Sequence, residues 1–160
     1  MQTQQQVFIK MALDAWQKEN AKVDKLFASH TDEQLMAEVA PGRNSGIYLI
    51  GHLTAVNDAM FPLLGLGEKL YPQLENVFIA NKDKSGLEKP SVSDLKKYWN
   101  EINAKLSQHF NEMQPDDWFT KHNSVSAEDF AKEPHRNKLN IIISRSIHQG
   151  YHLGQLAFLN

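Results

Sequence analysis

Four stretches of this chain repeat apolar residues at spacings of three and four, and no stretch alternates convincingly with a period of two. That pattern restricts the fold to packed helices, because a helix buries a stripe at period 3.6 and a strand a stripe at period 2. The first stretch runs from about Gln4 to Ser29, with Phe8, Met11, Ala12, Ala15, Trp16, Val23, Leu26 and Phe27 as its predicted stripe. Glu19 falls within it and reads as an edge carboxylate reaching solvent, since glutamate is rarely buried unless paired. The second opens at Asn44 or Ser45, either able to cap a helix, carries Tyr48, Leu49, Val56, Ala59 and Met60, and ends near Pro62. The third follows Pro90, with Ser91 and Asp94 resembling a capping box. Its stripe is Val92, Leu95, Trp99, Ile102, Leu106, Phe110 and Met113. The fourth opens near Asn137 and runs through Leu139, Ile142, Ile143, Ile147, Leu153, Leu156, Ala157 and Phe158.

These four segments predict an all-α protein, a four-helix bundle with long connections, forming one domain over residues 1–160. Residues 63–89 hold three glycines and one proline, with a short helix expected around Glu68 to Ile79, and residues 115–136 join the third and fourth helices, with a turn opening at Ser126. Connections of this length cross from one end of a bundle to the other or carry function, so simple up-down-up-down order is not assured.

Composition narrows the function. Hydrophobic residues make up 41% and charged residues 22%, a globular balance. A formal charge of −2 argues against broad nucleic-acid binding. The polar segment Met1–Gln6 lacks the apolar core of a signal peptide, and the apolar run 46–56 is too short for a bilayer. The chain therefore reads as cytoplasmic, with no membrane or nucleic-acid partner. Without cysteine it can form no disulfide, zinc-thiolate site or thiol nucleophile of its own.

Seven histidines remain to be sorted. His30, His122 and His135 stand in polar loop contexts and read as solvated. His109, in line with Leu106, Phe110 and Met113, reads as a hydrogen-bonded core or boundary residue. His148 and His152 differ, because four residues apart on a helix they share one face, together with Ile141, Arg145, Gln155, Leu156 and Leu159. Facing inward, each imidazole needs a partner. The pair alone leaves two readings open: a shared metal ion, or two separate hydrogen bonds. Its spacing is that of the zinc-peptidase helix, but Gln149 holds the position of the glutamate base, which disfavours peptidase chemistry. His52, mid-helix among Tyr48, Leu49, Ala55, Val56 and Ala59, adds a third inward imidazole. Three histidines from two helices leave coordination positions open, as a catalytic site requires. An imidazole shell suits Zn, Ni, Fe, Co or Mn without choosing among them. The carboxylate-rich di-iron bundle fits poorly, since the predicted helices carry no Glu-x-x-His pair.

The segment Arg136–Gln155, RNKLNIIISRSIHQGYHLGQ, resembles the last helix of the DinB-like (DNA-damage-inducible) superfamily in its His148, His152, Gly154 and Gln155. Gly51-His52-Leu53 resembles the second-helix histidine of the same families, and the helix spacings extend the likeness over nearly the whole chain. The resemblance implies an up-down bundle modified by long crossovers, often homodimeric, with a three-histidine site for one divalent transition metal. Members with assigned activities include bacillithiol- or mycothiol-dependent S-transferases, a mycothiol-dependent maleylpyruvate isomerase and metal-dependent hydrolases. The superfamily's name does not imply DNA binding.

Two functional readings from different classes follow. In the first, the chain is a metal-dependent enzyme that activates a thiol or water toward a small-molecule substrate, with a low-molecular-weight thiol as candidate cosubstrate. Tyr48, Trp99 and Tyr151 are candidate cavity residues, against ordinary core packing. Arg145 is a candidate for an anionic substrate, against a salt bridge, and Gln155 a candidate to bind a ligand, against capping a neighbouring loop. In the second, the bundle binds metal or a small ligand without turnover, in a stress-related role.

Overall fold

The structure, a computed structural model, describes residues 3–159; these form helices and connecting loops, with no strand among them. The helices are α1 (Gln4–Ser29), α2 (Asp32–Met36), α3 (Gly46–Asp58), α4 (Met60–Leu64), α5 (Gln73–Glu75), α6 (Val92–Glu112), α7 (Ala127–Lys132) and α8 (Lys138–Leu156). A π-helical turn at Asn76–Ala80 and a 3-10 turn at Pro115–Phe119 complete the set. α1, α3, α6 and α8 build the bundle.

Local chemistry sets the ends. Thr3 opens α1 with a complete capping box to Gln6. Of the two candidates for α3, Ser45 is the cap, its Oγ accepting from the Tyr48 N–H. At α6 the box is half made: Ser91 Oγ accepts from the Asp94 N–H, while the Asp94 carboxylate takes the serine hydroxyl rather than reaching the cap's own N–H. Asn137 caps α8 through Asn140. The second predicted helix divides at Ala59, and α4 ends at Gly65, whose φ of +72° favours glycine. Gly46–Leu64 together are apolar over 19 residues, with 72% of the most apolar window buried inside the bundle.

The buried ridge of α1 is Ile9, Trp16, Asn20, Val23 and Phe27, with Leu13 packed beside it. This corrects the first turns of the predicted stripe: Phe8 and Met11 belong to a second apolar ridge that faces outward. Asn20 continues the inward spacing from Trp16 although it is polar, so apolar periodicity alone skips it.

Two core clusters define the helix directions. One joins Ile9 and Trp16 of α1, Ala55 of α3, Ile102, Leu106 and Phe110 of α6, and Leu139 and Ile142 of α8. The other joins Val23 and Phe27, Ile47 to Leu53, Leu95 and Trp99, and Leu156 and Leu159. α1 and α8 therefore run from the first cluster to the second, and α3 and α6 run the opposite way. The order is up-down-down-up.

The 65–91 connection makes that order possible by doubling back along α3. Near the C-terminal end of α3, the buried Asp58 carboxylate accepts the Leu70 and Tyr71 N–H groups at 2.8 and 2.9 Å. At the N-terminal end, Asp83 accepts from the Ser45 N–H and hydroxyl at 2.7 and 2.8 Å and pairs with Lys89. Between these two clasps the connection lies against α3. α6 can then start at the end where α3 started. The short helix expected around residues 68–79 is reduced to α5 and the π turn, because residues 70 and 71 are held by Asp58 rather than by helical bonds.

Between the core clusters lies a polar layer with one amide from each long helix. Asn103 Oδ1 accepts from Asn57 at 2.8 Å and from Asn20 at 3.4 Å, and Asn20 Oδ1 accepts from Gln149 at 2.9 Å. Asn103 Nδ2 in turn donates to the Trp99 carbonyl at 2.9 Å. A one-residue slip or a large roll of any helix would break these bonds, so the layer fixes register in a way apolar contact cannot.

Candidate metal centre

α3 and α8 pack antiparallel, and this places His52 opposite His148 and His152. Their Nε2 atoms converge: His148 Nε2 stands 3.2 Å from that of His52 and 3.0 Å from that of His152. Each imidazole offers one nitrogen to a cluster in which all ligating atoms lie within 4.8 Å of one another, and all three rings are half-buried.

The far sides of two rings fix their protons. His52 Nδ1 lies 2.7 Å from the Phe78 carbonyl, and His152 Nδ1 lies 2.7 Å from Gln155 Oε1. Both oxygens can only accept, so each Nδ1 carries the hydrogen and each Nε2 presents a lone pair. His148 Nε2 faces both lone pairs and can donate to only one of them. Its own Nδ1 is buried with no hydrogen-bond partner. Without a cation, one close nitrogen pair has no proton between its members whichever tautomer His148 adopts.

A metal ion resolves that conflict. Two nitrogens bound at about 2.0–2.1 Å to one ion lie roughly 2.9–3.4 Å apart, for angles between octahedral and tetrahedral. The observed separations fall in that interval. The hydrogen bonds behind His52 and His152 are the usual means of holding a ligating ring in one tautomer and orientation. The residues present thus fit a divalent transition metal.

Burial sets the electrostatics in the same direction. His148 is pushed down to about 4, first by desolvation, then by the neighbouring His152, His52 and Arg145 charges. His152 is also lowered by desolvation, against the Gln155 bond, which favours its charged form. No carboxylate contributes to either shift. Neutral imidazole is the form that ligates.

The sequence-predicted residues around the cluster separate. Gln155 holds His152. Tyr151 is exposed, with its ring 5.1 Å from that of His152. Arg145 lies one turn before His148, half-buried. Tyr48 donates its hydroxyl to the Asn81 carbonyl at 2.7 Å and tethers the connection to α3. Trp99 is fully buried in the second core cluster and donates its indole N–H to Asp24 at 2.7 Å. Glu19 divides its carboxylate: one oxygen takes Lys22, and the other is buried 3.7 Å from where a Cβ on Gly150 would sit. It is not part of the cluster. His122 is not solvated as its loop context suggests; it is 93% buried, bonded to Ser124 Oγ at 2.9 Å, and its pKa is lowered by desolvation.

Phe78 was not legible as a site residue, because it acts through its backbone. Its position depends on Gly51, where an added Cβ would fall 2.2–2.5 Å from the Phe78 ring. The glycine beside His52 therefore admits the ring, and the ring brings the carbonyl to His52. A glycine preceding a candidate ligand was the one sequence signal of that close approach.

Fold and cluster together define a helical-bundle protein with a three-histidine site able to take a metal. Residues 15–156 match the DinB superfamily, and the chain belongs to it. No curated protein matches the chain.

Proposed function

We propose that this protein binds one divalent transition metal through His52, His148 and His152 and uses it to activate a thiol or water toward an electrophilic small molecule, with the thiol preferred. The observation that carries the metal reading is the pair of fixed lone pairs, on His52 and His152, aimed at His148 Nε2. A cation bound there would lower the pKa of a thiol or water and so supply a nucleophile near neutral pH. The protein's share is to hold the imidazoles neutral and oriented through Phe78 and Gln155.

The preference for a thiol rests on the missing base. Water activation needs a group to take the proton, and Glu19, the nearest candidate from the sequence, is turned to the other flank of α8 with one oxygen on Lys22. A thiol needs less proton handling. In the proposed transfer, the thiol proton leaves to solvent, sulfur forms a bond to the electrophilic carbon, and the leaving group departs with its electron pair. As the chain has no cysteine, the thiol is a separate small molecule.

Elemental analysis of untagged protein, beside a His52/His148/His152 triple alanine variant, tests the metal. Near-stoichiometric metal in the first and none in the second is the expected result; metal in neither, after incubation with zinc, nickel and iron(II), rejects it. Metal-loaded protein is then assayed with several low-molecular-weight thiols and a chlorinated nitroaromatic electrophile. No rate above the metal-free control with any thiol removes the thiol preference.

One observation favours a second, non-catalytic reading. A groove of about 590 Å³ beside the cluster is lined by Gln155, Tyr151, Phe158, Val39, Ala40, Gly42, Arg43 and Asn44 among others, but by none of the three histidines. A bundle that only holds metal needs no cavity opening onto it, and would bind stoichiometrically without turnover.

A further inference from the structure

Arg145 is a half-buried cation without an anion. Burying part of a guanidinium is costly unless it is paired. Yet among the described residues Arg145 forms no ion pair, and its Nε is buried with no hydrogen-bond partner. Arg136, near the start of the same helix, shows the ordinary alternative: it reaches Glu133 at 3.1 Å in an exposed pair.

Position gives the unpaired charge a meaning. Arg145 stands three residues before His148, so the two side chains rise from adjacent turns of the same flank of α8. Glu19 on α1 makes no ion pair with Arg145: one of its oxygens takes Lys22, and the other, buried without a hydrogen-bond partner, faces Gly150. With a divalent ion on three neutral imidazoles, the site would hold two positive charges from the metal and one from the guanidinium, with no carboxylate to offset them. Such a site is completed by a ligand that brings negative charge.

We infer that Arg145 is the anion-recognition residue of this site, and that the small molecule it takes carries a carboxylate or phosphate group that lies on the guanidinium beside the metal. The planar fork of arginine suits both groups, which it can grip with two parallel N–H bonds. The inference rests on the metal reading above and adds the chemical class of the ligand. Neutral electrophiles and uncharged thiols are disfavoured partners; those bearing a carboxylate or phosphate are favoured.

The test compares wild type, Arg145→Gln and Arg145→Lys, each loaded with cobalt(II), with metal content and melting temperature measured on the same samples. Inorganic phosphate, acetate and neutral acetamide are titrated by calorimetry, and the visible cobalt band is followed in parallel. Wild type should bind phosphate or acetate but not acetamide. Arg145→Gln should keep its metal and its melting temperature and lose roughly ten-fold or more in anion affinity, with Arg145→Lys in between. A purely structural arginine would instead lower the melting temperature and leave anion binding unchanged, which overturns the inference. So does equal affinity in all three proteins, or no anion binding by metal-loaded wild type. If Arg145→Gln does not fold, Arg145→Lys decides, since it keeps the charge and loses the fork. Absence of metal from wild type would remove the metal reading and this inference together, whereas metal binding with Arg145-independent anion affinity removes this one alone.

Discussion

Two polar clusters sit in the bundle side by side, and they pair donors with acceptors in opposite ways. In the amide layer of Asn20, Asn57, Asn103 and Gln149, N–H groups point at carbonyl oxygens and the helices supply each other's partners, with only Gln149 Oε1 left without one. In the histidine cluster, two lone pairs point at one nitrogen that can donate to only one of them, which leaves room for a partner from outside. Gln149 and His148 are consecutive, so the same turn of α8 serves both. The amide fixes the roll of the helix, and that roll presents the imidazole. A polar network whose donors all find acceptors within it contributes to the fold; one left short of a positive charge can act as a binding site.

If the contrast is correct, the two clusters respond differently to removal. His148→Ala should abolish tight metal binding outright, because it takes the central nitrogen from the cluster, while changing the metal-free melting temperature little. Elemental analysis with calorimetry reads both, and full metal content in the variant breaks the comparison at once. Gln155→Ala tests the same cluster one step back. Its loss frees the tautomer and tilt of His152, and metal affinity should fall about 10- to 100-fold. An unchanged affinity would mean that packing alone orients the ring.

The amide layer should show the reverse. Asn103→Ala removes the oxygen that accepts from Asn57 and Asn20, leaving a buried Asn57 amide unpaired, at a cost of about 1–3 kcal/mol in unfolding free energy. Metal stoichiometry should survive. Chemical denaturation of the metal-free protein gives the first quantity and elemental analysis the second. Lost stability accompanied by lost metal would show that the two clusters are one unit.

Sequence made the fold legible where the signal is local. The 3.6-residue stripes and the caps at Ser45, Ser91 and Asn137 mark the long helices, and four-residue spacing puts His148 and His152 on one face. What it hid is relational. Asn20, Asn57, Asn103 and Gln149 look like polar interruptions until four helices are stacked, because the partner of each lies on another helix. The π turn around Phe78 carries no helical stripe, and the atom it gives His52 is a carbonyl that any residue possesses. His122 lies in a polar stretch, yet it is buried, with its Nδ1 bonded by Ser124. The direction of α6 depends on Asp58 and Asp83, two carboxylates that clasp one connection to opposite ends of α3. Apolar periodicity registers none of these.

The smallest expected difference between the clusters is in their response to pH, and it separates them cleanly because the amides do not titrate. In the metal-free protein His148 is held neutral, with its pKa pushed down to about 4 from an ordinary value near 6.5. The folded-state pKa is below the unfolded one, so the unfolded chain binds more protons throughout that window. Stability is therefore whole above about pH 6.5 and falls as the pH drops toward about 4. His152, lowered in the same sense, adds to the slope. The side chains are only half-buried, so solvent screening keeps the effect modest. Urea denaturation in the presence of a chelator, at intervals across this window, should give a clear decline for wild type and a flatter one for His148→Ala. Asn103→Ala should be less stable at every pH with the wild-type slope. Parallel curves for wild type and His148→Ala would mean that the cost of charging this cluster lies elsewhere, and that His148 is not the frustrated member of the three.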